Sequence, residues 1–162
     1  MLQIPGLVGY VQDRPRREWW IHLPYLACSE TWFSDRETER AAYASDWYTQ
    51  GIAVDEARMF GREEAWSSPV LEVQTVRPGP TGRFRALGFG ASLGALDPMI
   101  LDGRVETLRL LRPPPGGGEQ LIVSVWSDEE LLARHVALRL GGLAFVAEPT
   151  ASLSPPAPPW NP

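Results

Sequence analysis

The chain has 162 residues, a net charge of −5 and an apolar fraction of 44%, which fits one compact domain or two small halves sharing a core. Its mild acidity argues against a nucleic-acid partner, which needs a basic stripe, and no apolar run reaches the roughly 20 residues of a membrane-spanning helix. Cys28 is the single cysteine, so an internal disulfide and a Cys-rich metal cluster are both excluded.

The first residues, MLQIPGLVGYVQ, lack the basic start and long apolar run of a signal peptide. The expectation is a cytoplasmic protein with no membrane contact. Residues 7–12 (LVGYVQ) alternate and are rich in strand formers, which predicts a strand. Residues 13–24 read as a loop with two prolines, an arginine cluster (Arg14, Arg16, Arg17) and the pair Trp19-Trp20. Residues 26–33 (LACSETWF) form the next predicted strand. Ser34 then opens a helix, because Ser34 and Glu37 have capping-box spacing. Ser45 and Asp46 supply a second cap and predict a broken continuation of that helix. Residues 69–76 (PVLEVQTV) alternate again.

Two prolines and two glycines in 77–82 (RPGPTG) mark the clearest internal boundary. Predicted strands follow at 83–91, 105–111 and 119–126. Pro98 makes 92–103 a poor helix. Ser127 and Glu130 repeat the capping-box spacing before a helix over 129–140, which Gly141-Gly142 ends. Residues 143–148 form the last predicted strand, and 150–162 are a Pro-rich tail, extended or disordered.

The phrases TWFSDRETERAA (from Thr31) and VWSDEELLARHV (from Val125) place Trp, Ser, Asp and Glu in nearly the same order. Each follows an apolar run and precedes a helical stretch. Two related halves are therefore predicted, 1–78 and 82–149, with 150–162 as a tail. The expected class is α+β, built from tandem ferredoxin-like halves of which the first lacks its leading strand and helix.

In the first half, IPGLVGYVQ, LPYLACSETWFSD and DEARMF follow one another before a strand in Val and Glu. In that order these phrases resemble an EthD-type domain of the dimeric α+β barrel superfamily, over roughly residues 4–76. The resemblance implies a barrel-like sheet closed by pairing of ferredoxin-like units, a homodimer, and no metal or organic cofactor. It implies an enzyme of oxygenase, cyclase or isomerase type acting on a small aromatic or polyketide-like molecule. His22-Leu23-Pro24 lies in a loop, so the family's helix histidine is not transferred to it.

Strand alternation supplies candidates independently. Tyr10 and Gln12, Glu30 and Trp32, and Glu72 and Gln74 each fall on one face of their strand. Gathered around a cavity, the six would form a small-molecule site with a few polar handles. The competing reading is a solvent-exposed sheet face or a polar subunit contact. Glu30 is the better acid–base candidate, against a cross-strand ion pair with an arginine. His22 is the second, because an imidazole titrates near neutrality; the plainer reading is a surface loop histidine. Trp19 and Trp20 are candidates to cap a pocket mouth and stack on a flat ligand, or to bury at a subunit interface. His135 reads as a helix-face residue and Cys28 as a small buried hydrophobe; no metal site is predicted. The rival function is a non-catalytic small-molecule-binding or assembly protein that uses the same sheet face.

Overall fold

The structure, a computed structural model, describes residues 4, 6–14, 28–54, 66–114 and 117–153. The described strands are β1 (Leu7–Asp13), β2 (Cys28–Phe33), β3 (Val70–Arg77), β4 (Phe84–Phe89), β5 (Val105–Leu110), β6 (Leu121–Ser127), β7 (Leu143–Ala147) and β8 (Thr150–Leu153). The α-helices whose full extent is described are α1 (Arg36–Ala44) and α2 (Glu130–Leu140). The class is therefore α+β. Two compact units divide the chain.

In the first unit (residues 1–12, 28–65 and 150–162), the strand order is β2-β1-β8. β8 pairs antiparallel to β1, with Gln12 opposite Thr150. The expected tail thus starts as a strand at Thr150, because the β1 edge offers it hydrogen-bond partners that local composition does not reveal. The helix α1 begins one residue later than the capping-box spacing predicts. Its N-cap is Asp35, whose carboxylate accepts from the Thr38 backbone N–H at 2.7 Å. Ser34 instead donates its hydroxyl to Asp35 at 3.0 Å, and its backbone N–H donates to the Gly6 carbonyl. Ser45 does act as the second cap: it accepts from the Tyr48 N–H at 3.3 Å at the head of a helical stretch that starts at Asp46 and widens over Tyr48–Ile52.

In the second unit (residues 13–27 and 66–149), five antiparallel strands lie in the order β3-β5-β6-β4-β7. The helix α2 connects β6 to β7, with β4 between them. Pro98 has the effect expected of it: two short 3-10 turns, Leu93–Ala95 and Pro98–Ile100, stand between β4 and β5. The sequence divide at 78–82 falls between β3 and β4, yet both belong to this one sheet. β3 joins it through β5, with Val70 opposite Leu110 and Val73 opposite Leu108.

A period of two sorts the side chains of this sheet. Phe84 and Ala86 of β4, Val123 and Val125 of β6 and Val146 of β7 pack with Ala133, Val136, Ala137 and Leu140 of α2. Burying these side chains contributes on the order of 1.5–3 kcal/mol for each large one. The other face carries Leu87, Leu108, Leu110, Ile122 and Phe145, all buried. Gly88 lies under α2, where a Cβ would crowd Leu140 and Ala91 at about 3 Å. Gly141 ends α2 with φ 64° and donates its N–H to the Ala137 carbonyl.

The repeated phrase marks the same kind of junction twice: Trp32-Phe33-Ser34-Asp35 runs from β2 toward α1, and Trp126-Ser127-Asp128-Glu129 from β6 toward α2. The caps differ, however. Ser127 is buried, accepts from the Glu129 N–H at 3.0 Å and bonds Asp102 at 3.1 Å. It therefore tightens the turn before α2 rather than forming a capping box with Glu130.

Candidate functional site

β2 presents Cys28, Glu30 and Trp32 on one face, all half-buried, and Ser29 and Thr31, both exposed, on the other. On β1, Gly9 and Val11 are buried while Tyr10 and Gln12 are partly exposed. The Tyr10 hydroxyl lies 3.4 Å from the Ser29 hydroxyl. Side chains of neighbouring strands that touch share a face, so Tyr10 belongs with Ser29 and not with Glu30. The structure thus separates Tyr10 and Gln12 from Glu30 and Trp32, which sequence alternation had placed around one cavity. Alternation defines the faces of each strand but not which face of one strand meets which face of the next.

Glu30 and Trp32 share the half-buried face of β2. One carboxylate oxygen of Glu30, Oε1, is shut off from solvent. So is the indole Nε1 of Trp32, and among the described residues that N–H meets no acceptor. A buried N–H without an acceptor is uncommon and costs about 1–3 kcal/mol. An oxygen arriving beside Trp32 would relieve that cost.

Glu72 and Gln74 lie in the other unit, on the terminal strand β3, and both are exposed. Glu72 accepts from Arg109 Nε at 3.0 Å across the β3–β5 ladder. Glu72 therefore makes a cross-strand ion pair with an arginine. Gln74 stands opposite Thr107. His22, Trp19 and Trp20, with Arg16 and Arg17, lie outside the described residues. His135 is on the exposed face of α2 and Cys28 is half-buried. Among the described residues, no group of three or more His, Cys, Asp or Glu side chains is placed to hold a metal ion. No described helix is long and apolar enough to cross a membrane.

Sequence reading missed a second polar cluster. Arg85, on the face of β4 turned away from α2, is 2% exposed, and Asp13 is fully buried. Arg85 donates from Nη1 to Asp13 Oδ2 at 2.8 Å and from Nε to Ser124 Oγ at 2.7 Å. Its guanidinium carbon sits 4.8 Å from the Trp126 ring centroid, a cation–π distance. The Trp126 N–H in turn donates to Glu106 at 3.4 Å, and Arg104 approaches the other Glu106 oxygen at 3.5 Å. A planar guanidinium suits this place, since it can bond through two edges and stack through its face. The signal in the sequence was Arg85 itself, a charge that alternation puts beside Leu87 and Phe89.

Comparison with protein-family models, with curated proteins and with solved structures returns no match.

Proposed function

We propose that the chain is an EthD-like protein of the dimeric α+β barrel type, with Glu30 and Trp32 as its reactive pair. Its activity is cofactor-independent chemistry, of oxygenase, cyclase or isomerase type, on a small aromatic or polyketide-like molecule. The order β5-β6-β4-β7, with α2 crossing over β4, supports a ferredoxin-like reading of the second half. A homodimer in the cytoplasm, with no nucleic-acid or membrane partner, belongs to the same reading.

The observation that carries it is the solvent-shielded Trp32 N–H, which meets no acceptor among the described residues, two residues from the Glu30 carboxylate. A ligand carbonyl oxygen accepts from the indole N–H. Glu30 takes a proton from the adjacent activated carbon, and the electron pair of the broken C–H bond moves onto the ligand oxygen. The indole N–H, donating to that oxygen, stabilises the charge that develops there.

The experiment is proton–deuterium exchange at the activated methylene of aromatic β-diketones in D2O, followed by NMR. Wild-type protein is expected to exceed the buffer rate. Glu30→Gln should lose about a hundredfold or more of the excess while keeping its circular dichroism. Equal excess rates in the two proteins would remove Glu30 from the mechanism. A small molecule retained in native mass spectrometry, together with no exchange activity, would leave binding without catalysis.

A further inference from the structure

We infer that β3 is a self-pairing edge, through which a second copy of this chain extends the five-stranded sheet by antiparallel β3–β3 addition. The inference stands independently of the ligand chemistry proposed above. β3 is the terminal strand of its sheet and is eight residues long. β7, at the other end, has five residues, of which Phe145, Val146 and Ala147 are buried. β3 instead exposes large apolar side chains: Val70 at 41%, Leu71 at 46% and Val76 at 45%. An exposed, apolar edge of this length is a template for pairing unless something blunts it.

The usual blunting groups are missing or occupied. The strand VLEVQTVR has no proline and no lysine. Of its two charges, Glu72 is held by Arg109, and the Arg77 guanidinium donates to the Leu101 carbonyl. The irregularities in its ladder with β5 fall near its ends, between Val70 and Glu72 and between Thr75 and Arg77. They leave Glu72–Thr75 as a regular run.

The pattern of that run favours a second copy over an unrelated strand. A two-fold axis through Val73, perpendicular to the sheet, sets Val73 against its own copy and Glu72 against Gln74 of the other chain, twice. The carboxylate accepts from the amide. No like charges are opposed, and the Glu72 charge is already countered within its own chain by Arg109. Val70 and Val76 then lie toward each other at the two ends of the contact.

Sedimentation velocity on the full chain tests this with substitutions at the exposed Gln74. Wild-type protein should sediment as a dimer in reversible exchange with monomer. Gln74→Glu opposes two pairs of carboxylates and should weaken the dimer about tenfold; Gln74→Lys opposes two pairs of opposite charges and should tighten it about tenfold. Val70→Lys combined with Val76→Lys should yield monomer, with unchanged circular dichroism showing that the fold survives. A monomeric wild type, or a dimer indifferent to the sign of the charge at residue 74, would overturn the inference.

Discussion

Arg85 and Asp13 show how much of the molecule hangs on single side chains. Both are withdrawn from water, and each is the other's countercharge at 2.8 Å. Removing one partner takes the countercharge at 2.8 Å from a buried charge, so Asp13→Ala and Arg85→Met should each cost about 3–5 kcal/mol in urea unfolding. Replacing both together, with Asp13→Leu and Arg85→Met, should recover much of the loss, because two apolar side chains need no countercharge. Additive losses in the double variant would show that the two residues act separately. The pair also marks a limit of sequence reading. Arg85 left a local signal that went unread, a charge on the apolar side of an alternating strand. Its partner lies 72 positions earlier, and nothing in either local pattern links them. Glu30 and Trp32 were legible together because they sit two residues apart on one strand, where the period of two is sufficient. Tyr10 and Gln12 required knowledge of how β1 faces β2, which depends on contacts across the chain.

Elements were easier to read than their caps or partners. The alternation of apolar residues located seven strands, and Pro98 correctly replaced a helix by short turns. The start of α1 was displaced by one residue, since Ser34, Asp35 and Thr38 are all able to cap and only the backbone geometry selects among them. That selection has a pH signature. The Thr38 backbone N–H, the Thr38 hydroxyl and the Ser34 hydroxyl all donate to Asp35 and hold its carboxyl below its ordinary value of 3.8. A carboxyl with a depressed folded pKa contributes its stabilisation fully above the unfolded value and loses it as pH falls through the folded one. The Thr38 amide proton should therefore titrate in NMR with a midpoint below 3.8. In Asp35→Asn that titration should vanish while α1 persists, because Asn is an equally good N-cap. A midpoint at or above the ordinary value would contradict the capping arrangement. β3 and β8 were misassigned for a different reason. A strand's own residues encode its two faces, whereas its neighbours are decided by what else needs an edge.

At the scale of the whole chain, apolar burial is unevenly distributed. All six residues of β4 are buried, as are five of the seven in β6, and α2 adds Ala133, Val136, Ala137 and Leu140 to the same core. In the first unit, Val11 and Ala42 are the buried hydrophobic residues among those described, and no residue of β2 is fully buried. Local opening is opposed mainly by the apolar surface it exposes, so a unit with few buried side chains opens at lower free energy. Amide hydrogen exchange should accordingly be slowest in β4, β6 and α2. Exchange in β1, β2, α1 and β8 should be roughly a hundredfold faster, a gap on the order of 3 kcal/mol in opening free energy. Ligand binding at Glu30 and Trp32 would narrow the gap, because a molecule that binds only the closed unit stabilises it by mass action. Equal protection in the two units of ligand-free protein would mean that the first opens only when the entire chain unfolds. In that case the half-buried face of β2 would be held by something stronger than the contacts it makes within its own unit.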